Sequence, residues 1–321
     1  MKKIKAIVLF SGGLDSLIVV KILQEQDIIV KAVNYVTSFF GGEKVKKIGD
    51  YYGIKVIIED ITKEYVYKVL LSSDYGYGKN MNPCIDCHRY MIKKAKERID
   101  RGEANFIATG EVLGERPFSQ NRNALEIVAS PARGFVVRPL SAQLLKPTIP
   151  ELKGWVDRTK FYALQGRSRK QHFEIAKRYG IDRIPYPSGG CVLTDPEFSY
   201  RLKHYLDNEK IKIPKVYLLR IGRHFFINET RLIIPRNERE RRELRKTFSL
   251  IHNAILLETN KGFTALAYNV GNNIDEIIKV CSAYIREEEK IKIITKENEI
   301  TEYDLIKNVD KIEVKKYMVV K

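Results

Sequence analysis

Two groups of residues in this sequence have the types and spacing to do chemistry, and the first begins at position 11. The segment SGGLDS (11–16) follows an apolar run, Ile4–Phe10, and precedes a helical pattern from Leu17. Its glycines allow close backbone approach, and the helix N-terminus adds partial positive charge. The hydroxyls can donate to phosphate oxygens and Asp15 can hold Mg²⁺, whereas the Gly-Lys-Ser/Thr of a Walker A loop is missing. The segment predicts a binding site for phosphate groups.

The second group consists of three cysteines. Cys84 and Cys87 form a C-x-x-C turn in NPCIDCH (82–88), and Cys191 lies in GGCVLTDP (189–196). Three thiolates could hold three corners of an iron–sulfur cluster and leave one iron open. Two could instead act as nucleophile and resolving partner, and zinc with His88 is a third option. A fourth cysteine, Cys281, lies on an apolar helical face and is predicted to pack in a core.

The elements that must position these groups alternate between strand and helix from Lys3 to about Arg138. The predicted strands are Ile4–Phe10, Ile28–Val36, Lys55–Ile58 and Asn105–Thr109, and the predicted helices are Leu17–Gln26, Gly42–Tyr52, Thr62–Leu71 and Cys87–Arg101. This alternation predicts an α/β fold with a doubly wound parallel sheet and a ligand at the carboxyl ends of the strands. The ends of the first strand and of Phe106–Thr109 should face the same crevice.

The length of 321 residues allows two domains. We predict a catalytic domain over 1–200, with a substrate-facing helical region appended from about 142, and a small α+β domain over 205–321. In the second part, strands are predicted at Val216–Leu219, His224–Ile227, Thr230–Ile234, Ala254–Glu258 and Thr264–Ala267, and helices at Glu197–Leu206 and Asp275–Tyr284.

The charge balance is strongly basic. Lys and Arg number 57 against 40 Asp and Glu, which gives a formal net charge of +17 and a pI near 9.5. Such a surplus favours a polyanionic partner, and nucleic acid is the leading candidate. Basic residues that could contact RNA phosphates are Arg167, Arg169, Lys170, Arg241 and Arg242. For the last two, a solvated helix face with interleaved glutamates is an equal alternative. No long apolar run or signal peptide is visible, which predicts a cytoplasmic protein without a membrane segment.

Six motifs in a fixed order carry a resemblance. They are SGGLDS (11–16), NPCIDC (82–87), ATGEVLGERPFSQ (108–120), RPLSAQLLKPTIPE (138–151), GRSRKQ (166–171) and GGCVLTDP (189–196). Over roughly residues 1–200 the chain resembles PP-loop ATP pyrophosphatases, specifically tRNA thiouridylases of the 2-thiouridylase and 4-thiouridine synthetase group in an iron–sulfur-dependent form. The resemblance implies that ATP adenylates a uridine carbonyl oxygen and that a sulfur nucleophile then displaces AMP.

The resemblance also implies roles for individual residues. Those expected to bind ATP and Mg²⁺ are Ser11, Gly12, Gly13, Asp15, Ser16, Thr109 and Gly110, with Tyr35 as a neighbour of the adenosine. Cys84, Cys87 and Cys191 are expected to hold a [4Fe–4S] cluster or to carry the sulfur. The implied partners are tRNA and a sulfur donor, either sulfide or a persulfide carrier, and similar enzymes are often homodimers.

Several alternatives remain at this level. The chain could be an ATP-dependent sulfur transferase or adenylating enzyme that acts on a small molecule, or a non-catalytic RNA-binding iron–sulfur protein. The sequence does not distinguish thiolation at C2 from thiolation at C4. It also leaves open the choice between cluster and persulfide chemistry, the sulfur donor and the role of the C-terminal domain.

Overall fold

The computed structural model describes residues 3–183, 191–286 and 290–320. The chain divides into two compact units, Met1–Thr194 and Asp195–Lys321. The second unit therefore begins before the predicted position 205. The reason is local, since Asp195 caps the helix Pro196–Asn208 by accepting a hydrogen bond from the Phe198 amide at 2.7 Å.

The first unit is built on a five-stranded sheet. Its strands are β1 (Lys5–Leu9), β2 (Ile29–Val36), β3 (Val56–Asp60), β4 (Phe106–Ala108) and β5 (Val136–Val137). They run parallel in the order β3-β2-β1-β4-β5, which confirms the predicted doubly wound sheet. Val8 of β1 pairs with Ala108 of β4. Because β2 and β4 flank β1 on opposite sides, the switch point of the topology lies at the carboxyl ends of β1 and β4.

Within the described residues of the first unit, seven helices accompany this sheet. They are α1 (Leu14–Gln24), α2 (Glu43–Tyr51), α3 (Thr62–Tyr65), α4 (Cys84–Asp100), α5 (Arg122–Ala129), α6 (Ile149–Leu152) and α7 (Lys170–Arg178), with a π turn at Val66–Leu70 and 3₁₀ turns at Ser130–Ala132, Ala142–Leu144, Arg158–Lys160 and Val192–Thr194. Helix α1 is apolar on nearly every face, from Leu17 through Val20 to Leu23, and these side chains are fully buried. A helix of this kind is a core element, so the turn that precedes it is held rigidly.

One boundary in the first unit corrects the sequence prediction at the candidate site. Helix α4 begins at Cys84 rather than at Cys87, because Pro83 occupies the N-cap position and its carbonyl accepts the Cys87 amide at 2.8 Å. Both cysteines of the C-x-x-C turn therefore lie in the first helical turn. Amide groups at a helix N-terminus favour negative charge, so this placement suits thiolates.

The second unit is an α+β domain on an antiparallel sheet. Its strands are β6 (Arg223–Ile227), β7 (Thr230–Ile234), β8 (Ala254–Glu258), β9 (Thr264–Tyr268), β10 (Lys290–Ile294) and β11 (Ile300–Asp304), in the order β11-β10-β8-β9-β7-β6. Its helices are α8 (Pro196–Asn208), α9 (Ile213–Leu218), α10 (Glu238–Phe248), α11 (Ile274–Ser282) and α12 (Lys311–Val314), and a 3₁₀ turn follows at Lys315–Tyr317.

The predicted strand at Val216–Leu219 is wrong, because most of this segment belongs to α9. Pro214 stands in the first turn of that helix, where a missing amide hydrogen costs nothing. The buried face of α9 includes Val216 and Leu218. Cys281 lies in α11 with none of its surface exposed, as predicted for a packing residue. No helix within the described residues is long and apolar enough to cross a membrane.

Candidate active site

The turn between β1 and α1 folds back on itself. The Gly13 amide donates to Ser11 Oγ at 3.2 Å, and the Ser16 hydroxyl donates to the Gly13 carbonyl at 2.8 Å. Gly12 has a φ of +73°, which glycine adopts without strain. Two hydroxyls and the start of α1 are thereby gathered at the switch point of the sheet, where a phosphate chain can be bound.

The end of β4 approaches this turn too closely to tolerate a side chain. A Cβ built on Gly110 would lie 2.9 Å from the Asp15 carbonyl carbon and 3.0 Å from the Ser16 nitrogen. Both are backbone atoms at the start of α1, so they cannot rotate away. The phosphate turn therefore requires the space that Gly110 leaves by having no side chain.

Gly110→Ala is accordingly expected to push the phosphate turn out of place. We expect ATP affinity to fall by ten-fold or more and stability to fall by about 1–3 kcal/mol, the usual range for overpacking. ATP binding by calorimetry and thermal melting by circular dichroism measure the two effects. Gly271→Ala is the control, since a Cβ there meets nothing within 4 Å. Wild-type ATP affinity in Gly110→Ala would contradict this role.

A cavity of about 270 Å³ opens at this switch point. The predicted residues that line it are Ser11, Asp15, Ser16, Tyr35, Thr109, Gly110, Cys84, Cys87 and Cys191. The phosphate turn and the three cysteines, which are far apart in sequence, thus share one cavity. Gly12 and Gly13 belong to the turn that carries Ser11 and Asp15, whereas Arg241 and Arg242 belong to α10 of the second unit.

Backbone and side-chain hydrogen bonds bring Cys191 to this cavity. The Val192 amide donates to the Phe39 carbonyl at 3.0 Å, and the Asn80 side-chain amide donates to the Thr194 carbonyl at 2.7 Å. The residues that follow Cys191 are therefore tied to the loops after β2 and before α4. The glycine pair that precedes it in the motif, at 189–190, lies outside the described residues.

The environment of the thiols differs between the cysteines. The Asn82 side-chain amide donates to Cys84 Sγ at 3.1 Å. Cys87 is buried, and the Tyr65 hydroxyl donates to its sulfur. Burial, with a further contribution from Cys191, raises the pKa of the Cys87 thiol well above its ordinary value. An unliganded Cys87 is therefore a neutral thiol and a poor nucleophile near neutral pH.

A buried ionic network supports the opposite wall of the cavity. Glu111 accepts hydrogen bonds from Arg138 Nε at 2.9 Å and from the Thr109 hydroxyl at 3.0 Å, and it lies 2.9 Å from His88 Nδ1. Burial alone would raise the pKa of Glu111, but Arg138 and His88 outweigh it and lower the pKa to about 2. Glu111 therefore orients His88, whose ring borders the cavity.

Glu111→Gln is expected to lower the free energy of unfolding at pH 7 by about 3 kcal/mol, because Arg138 stays buried without its counterion. A carboxyl with a lowered pKa stabilises the fold above pH 4.5, and that stability is lost as the pH falls towards 2. Between pH 4.5 and pH 2, the free energy of unfolding should therefore fall less steeply in Glu111→Gln than in the wild type. Urea denaturation followed by Trp155 fluorescence reports the first unit, and the exposed Glu126→Gln is the control. Equal acid profiles for wild type and Glu111→Gln would contradict the expectation.

A second cluster of ionisable side chains surrounds Asp15. Arg169 Nη1 lies 3.2 Å from Asp15 Oδ2 and 2.8 Å from Glu115 Oε1, and His172 Nε2 lies 3.6 Å from Asp15 Oδ1. Burial and the neighbouring Glu115 carboxylate raise the pKa of Asp15 to about 6, although Arg169 opposes them. Arg169 therefore contacts carboxylates at the cavity, whereas its neighbours Arg167 and Lys170 are exposed.

Three residues of the site were not predicted from the sequence. Asn34 borders the cavity, and its side-chain oxygen is buried without a hydrogen-bond partner among the described residues. Tyr65 supports Cys87, and His172 lies beside Asp15. Asn34 directly precedes Tyr35 at the end of β2, a position that could have flagged it. Nothing in the local sequence distinguishes Tyr65 or His172.

Comparison with known proteins agrees with the motifs. A family model described as the tRNA methyl transferase HUP domain matches residues 4–133. The tRNA-specific 2-thiouridylase MnmA of Amoebophilus asiaticus is 33% identical over 66% of this chain and 60% of its own length. MnmA of Campylobacter concisus is 37% identical over 34% of this chain and 35% of its own length. A crystal structure described as a 4-thiouridine synthetase–RNA complex with bound ATP aligns with a TM-score of 0.40 and 22% identity, over 67% of this chain and 52% of that chain.

The family model and the two curated relatives confirm the predicted resemblance to PP-loop tRNA thiouridylases. The chain spans only part of these curated relatives, at most 60% of the length of the two described. The family model ends at residue 133, before Cys191 and before the whole second unit. The iron–sulfur form and the role of the second unit stay predictions.

Proposed function

We propose that this chain, a PP-loop protein similar to tRNA thiouridylases, uses ATP to replace a carbonyl oxygen of a tRNA uridine with sulfur. The observation that carries the proposal is the shared cavity, in which Ser11, Asp15 and Ser16 border the same space as Cys84, Cys87 and Cys191. The residues that activate the uridine with ATP and the residues that supply sulfur must both contact the same base. Their presence in a single cavity therefore suits a reaction in two steps.

The first step needs a phosphate cradle, which the turn after β1 provides. The uridine oxygen attacks the α-phosphorus of ATP, the bond to pyrophosphate breaks, and the uridine N3 proton leaves. Hydroxyls of Ser11 and Ser16, together with the N-terminus of α1, would hold the departing pyrophosphate. His88, oriented by Glu111, borders the cavity and is placed to accept the proton.

In the second step sulfide attacks the activated carbon and AMP leaves, so the exchange consumes no oxidant or reductant. AMP is a far better leaving group than the original carbonyl oxygen, which is why activation must come first. Substrate that fills the cavity would keep out water, which would otherwise hydrolyse the adenylated base. Buried Tyr35 and Asn34 border the side where the nucleoside of ATP would lie.

The three cysteines fit a [4Fe–4S] cluster better than a mononuclear metal. Four thiolates around one zinc lie about 3.8 Å apart, given a Zn–S distance of about 2.3 Å. Among the described residues, no cysteine belongs to a set of three ligand atoms within 4.8 Å of one another. A cluster places each thiolate on a different iron and so needs wider spacing. The raised pKa of Cys87 also argues against its acting as a free thiolate.

Cys84, Cys87 and Cys191 would hold three irons, and the cluster when bound would supply a fourth, open iron that can carry sulfide. The chain's own residues set its position. The Asn82 amide and the Tyr65 hydroxyl donate to two of the sulfurs. Such hydrogen bonds stabilise thiolate ligands and adjust the electronic properties of the cluster that the thiolates would hold.

The test is nucleoside mass spectrometry on unmodified tRNA after anaerobic incubation with iron-reconstituted protein, Mg-ATP and sulfide. We expect a 2-thiouridine or 4-thiouridine peak that requires ATP, with AMP and pyrophosphate released in equal amounts. The identity of the peak names the target atom. No thionucleoside from protein that retains iron and binds ATP would overturn the proposal, and salt-insensitive tRNA binding would then favour a small-molecule substrate.

Exposed cations in the first unit are proposed to contact the tRNA backbone. Arg167 and Lys170 lie on either side of Arg169 in the sequence, and neither has a carboxylate partner among the described residues. In the second unit Arg241 pairs with Glu238 at 2.9 Å, whereas the exposed Arg242 has no such pair in the described part of the chain. The basic surplus of the sequence supports a polyanionic substrate.

The double change Arg167→Gln with Lys170→Gln is expected to weaken tRNA binding and to flatten its salt dependence. Each lost phosphate contact lowers the slope of log K against log salt by about 0.7–0.9. Filter binding across a salt series measures the slope. Arg178→Gln is the control, because Arg178 already pairs with Glu25 at 3.1 Å. An unchanged slope in the double variant would exclude these two residues from the interface.

A further inference from the structure

We propose that Asp15, Glu115 and His172 form a binding site for one divalent transition-metal ion, separate from the three cysteines. One ligand atom from each residue, two carboxylate oxygens and an imidazole nitrogen, lies within 4.8 Å of the other two. The site combines the first turn of α1, the loop after β4 and the first turn of α7. These segments are distant in sequence, so only the fold brings the three side chains together.

The buried histidine is the decisive feature. Only 1% of the surface of His172 is exposed, and its Nε2 lies 3.6 Å from Asp15 Oδ1. Neither of these two atoms has a hydrogen-bond partner among the described residues. Buried polar atoms are nearly always satisfied, because an unpaired one costs free energy. At a separation of 3.6 Å, the two atoms can both bind one cation, which would satisfy each of them.

Arg169 shows that the site attracts positive charge. Its guanidinium contacts Asp15 through Oδ2 and Glu115 through Oε1, and it leaves Asp15 Oδ1 turned towards His172. Among the groups in direct contact, two carboxylates, one guanidinium and an uncharged imidazole sum to −1, and Arg116 acts on Asp15 from farther away. A divalent ion would therefore be attracted, and Arg169, whose side chain is 26% exposed, can turn outwards to make room.

The donor set selects the class of metal. Imidazole nitrogen is a ligand for zinc, iron, nickel and copper, whereas magnesium prefers oxygen alone. One nitrogen with two carboxylates suits a transition ion such as Mn²⁺, Fe²⁺ or Zn²⁺. The ion would lie at the wall of the nucleotide cavity, because Asp15 and Glu115 both border that space.

The experiment titrates the full-length, EDTA-treated protein with Mn²⁺ alone and follows it by electron paramagnetic resonance. We expect one saturable site, with a nitrogen coupling in the pulsed spectrum that reports imidazole coordination. His172→Asn should lose this coupling and weaken binding by ten-fold or more. His252→Asn, at an exposed histidine in the second unit, is the control and should bind as wild type does.

Arg169→Gln supplies a second, independent readout. The guanidinium of Arg169 competes with a metal ion for the two carboxylates and also repels it. Without the guanidinium, Mn²⁺ should therefore bind several-fold more tightly. Equal or weaker binding in this variant, or a wild-type spectrum without nitrogen coupling, would overturn the proposal. The wild-type spectrum decides the matter even if His172→Asn does not fold. Because neither ATP nor tRNA is present, failure here is distinct from failure of the proposed thiolation.

Discussion

Replacing any one of Cys84, Cys87 and Cys191 with alanine is expected to reduce bound iron to background and to abolish thiouridine formation. The three residues border one cavity, and two of them occupy the first turn of α4. A cluster held at three corners has no spare protein ligand, so each loss should have the full effect. Iron analysis and the visible absorption of anaerobically reconstituted protein measure the first outcome, and nucleoside mass spectrometry measures the second.

Cys281→Ala is the matched control for this series. Cys281 is fully buried in α11 of the second unit, and burial raises its pKa. Its change should cost about 1 kcal/mol of stability and leave iron and thiolation intact. Iron retained by all three single variants of the cavity cysteines would exclude the cluster. Iron lost together with ATP binding would indicate general disruption of the cavity instead.

Persulfide chemistry predicts a different pattern in the same variants. A nucleophile and its resolving partner are two residues, so one of the three cysteines would be dispensable. The neutral, buried Cys87 is a weak candidate for either role. Thiolation that survives one change while failing in the other two would therefore favour the persulfide route.

The nucleotide half of the site could be predicted because its signals are local. A buried strand, a glycine turn with hydroxyls and an apolar helix follow one another over 4–24, and α1 places that turn at the end of β1. Parallel pairing of β1 with β4 then follows from the alternation of strands and helices. The predicted start of α4, at Cys87, was three residues too late. A proline before a helix can either lie outside it or occupy its N-cap position, as Pro83 does.

The remaining features depend on contacts that the sequence does not display. The apolar run at 216–219 is too short to separate strand from helix, and it folds as part of α9. Cys191 reaches the other cysteines through bonds from its neighbours to Phe39 and Asn80. His172 meets Asp15 across more than 150 positions of sequence, and only the tertiary fold identifies it.

The charge of Asp15 is costly to the fold, which indicates that it is kept for function. Its carboxyl is partly buried beside Glu115, and these two effects raise its pKa to about 6 despite Arg169. Near neutral pH the folded protein therefore holds an ionised group that the surroundings disfavour. Groups held against their local preference are typical of sites at which a ligand restores the balance.

Asp15→Asn is thus expected to separate activity from stability. Pyrophosphate release in the presence of tRNA should fall about a hundred- to a thousandfold, because the variant loses the charge that can hold a cation against the phosphates. The free energy of unfolding at pH 7.5 in EDTA should not fall, since the neutral amide relieves repulsion from Glu115. A pyrophosphate assay and Trp155-monitored urea denaturation measure the two quantities, with the exposed Asp50→Asn as control. Unchanged pyrophosphate release would exclude the phosphate role of Asp15, and a loss of stability would show that its charge supports the fold.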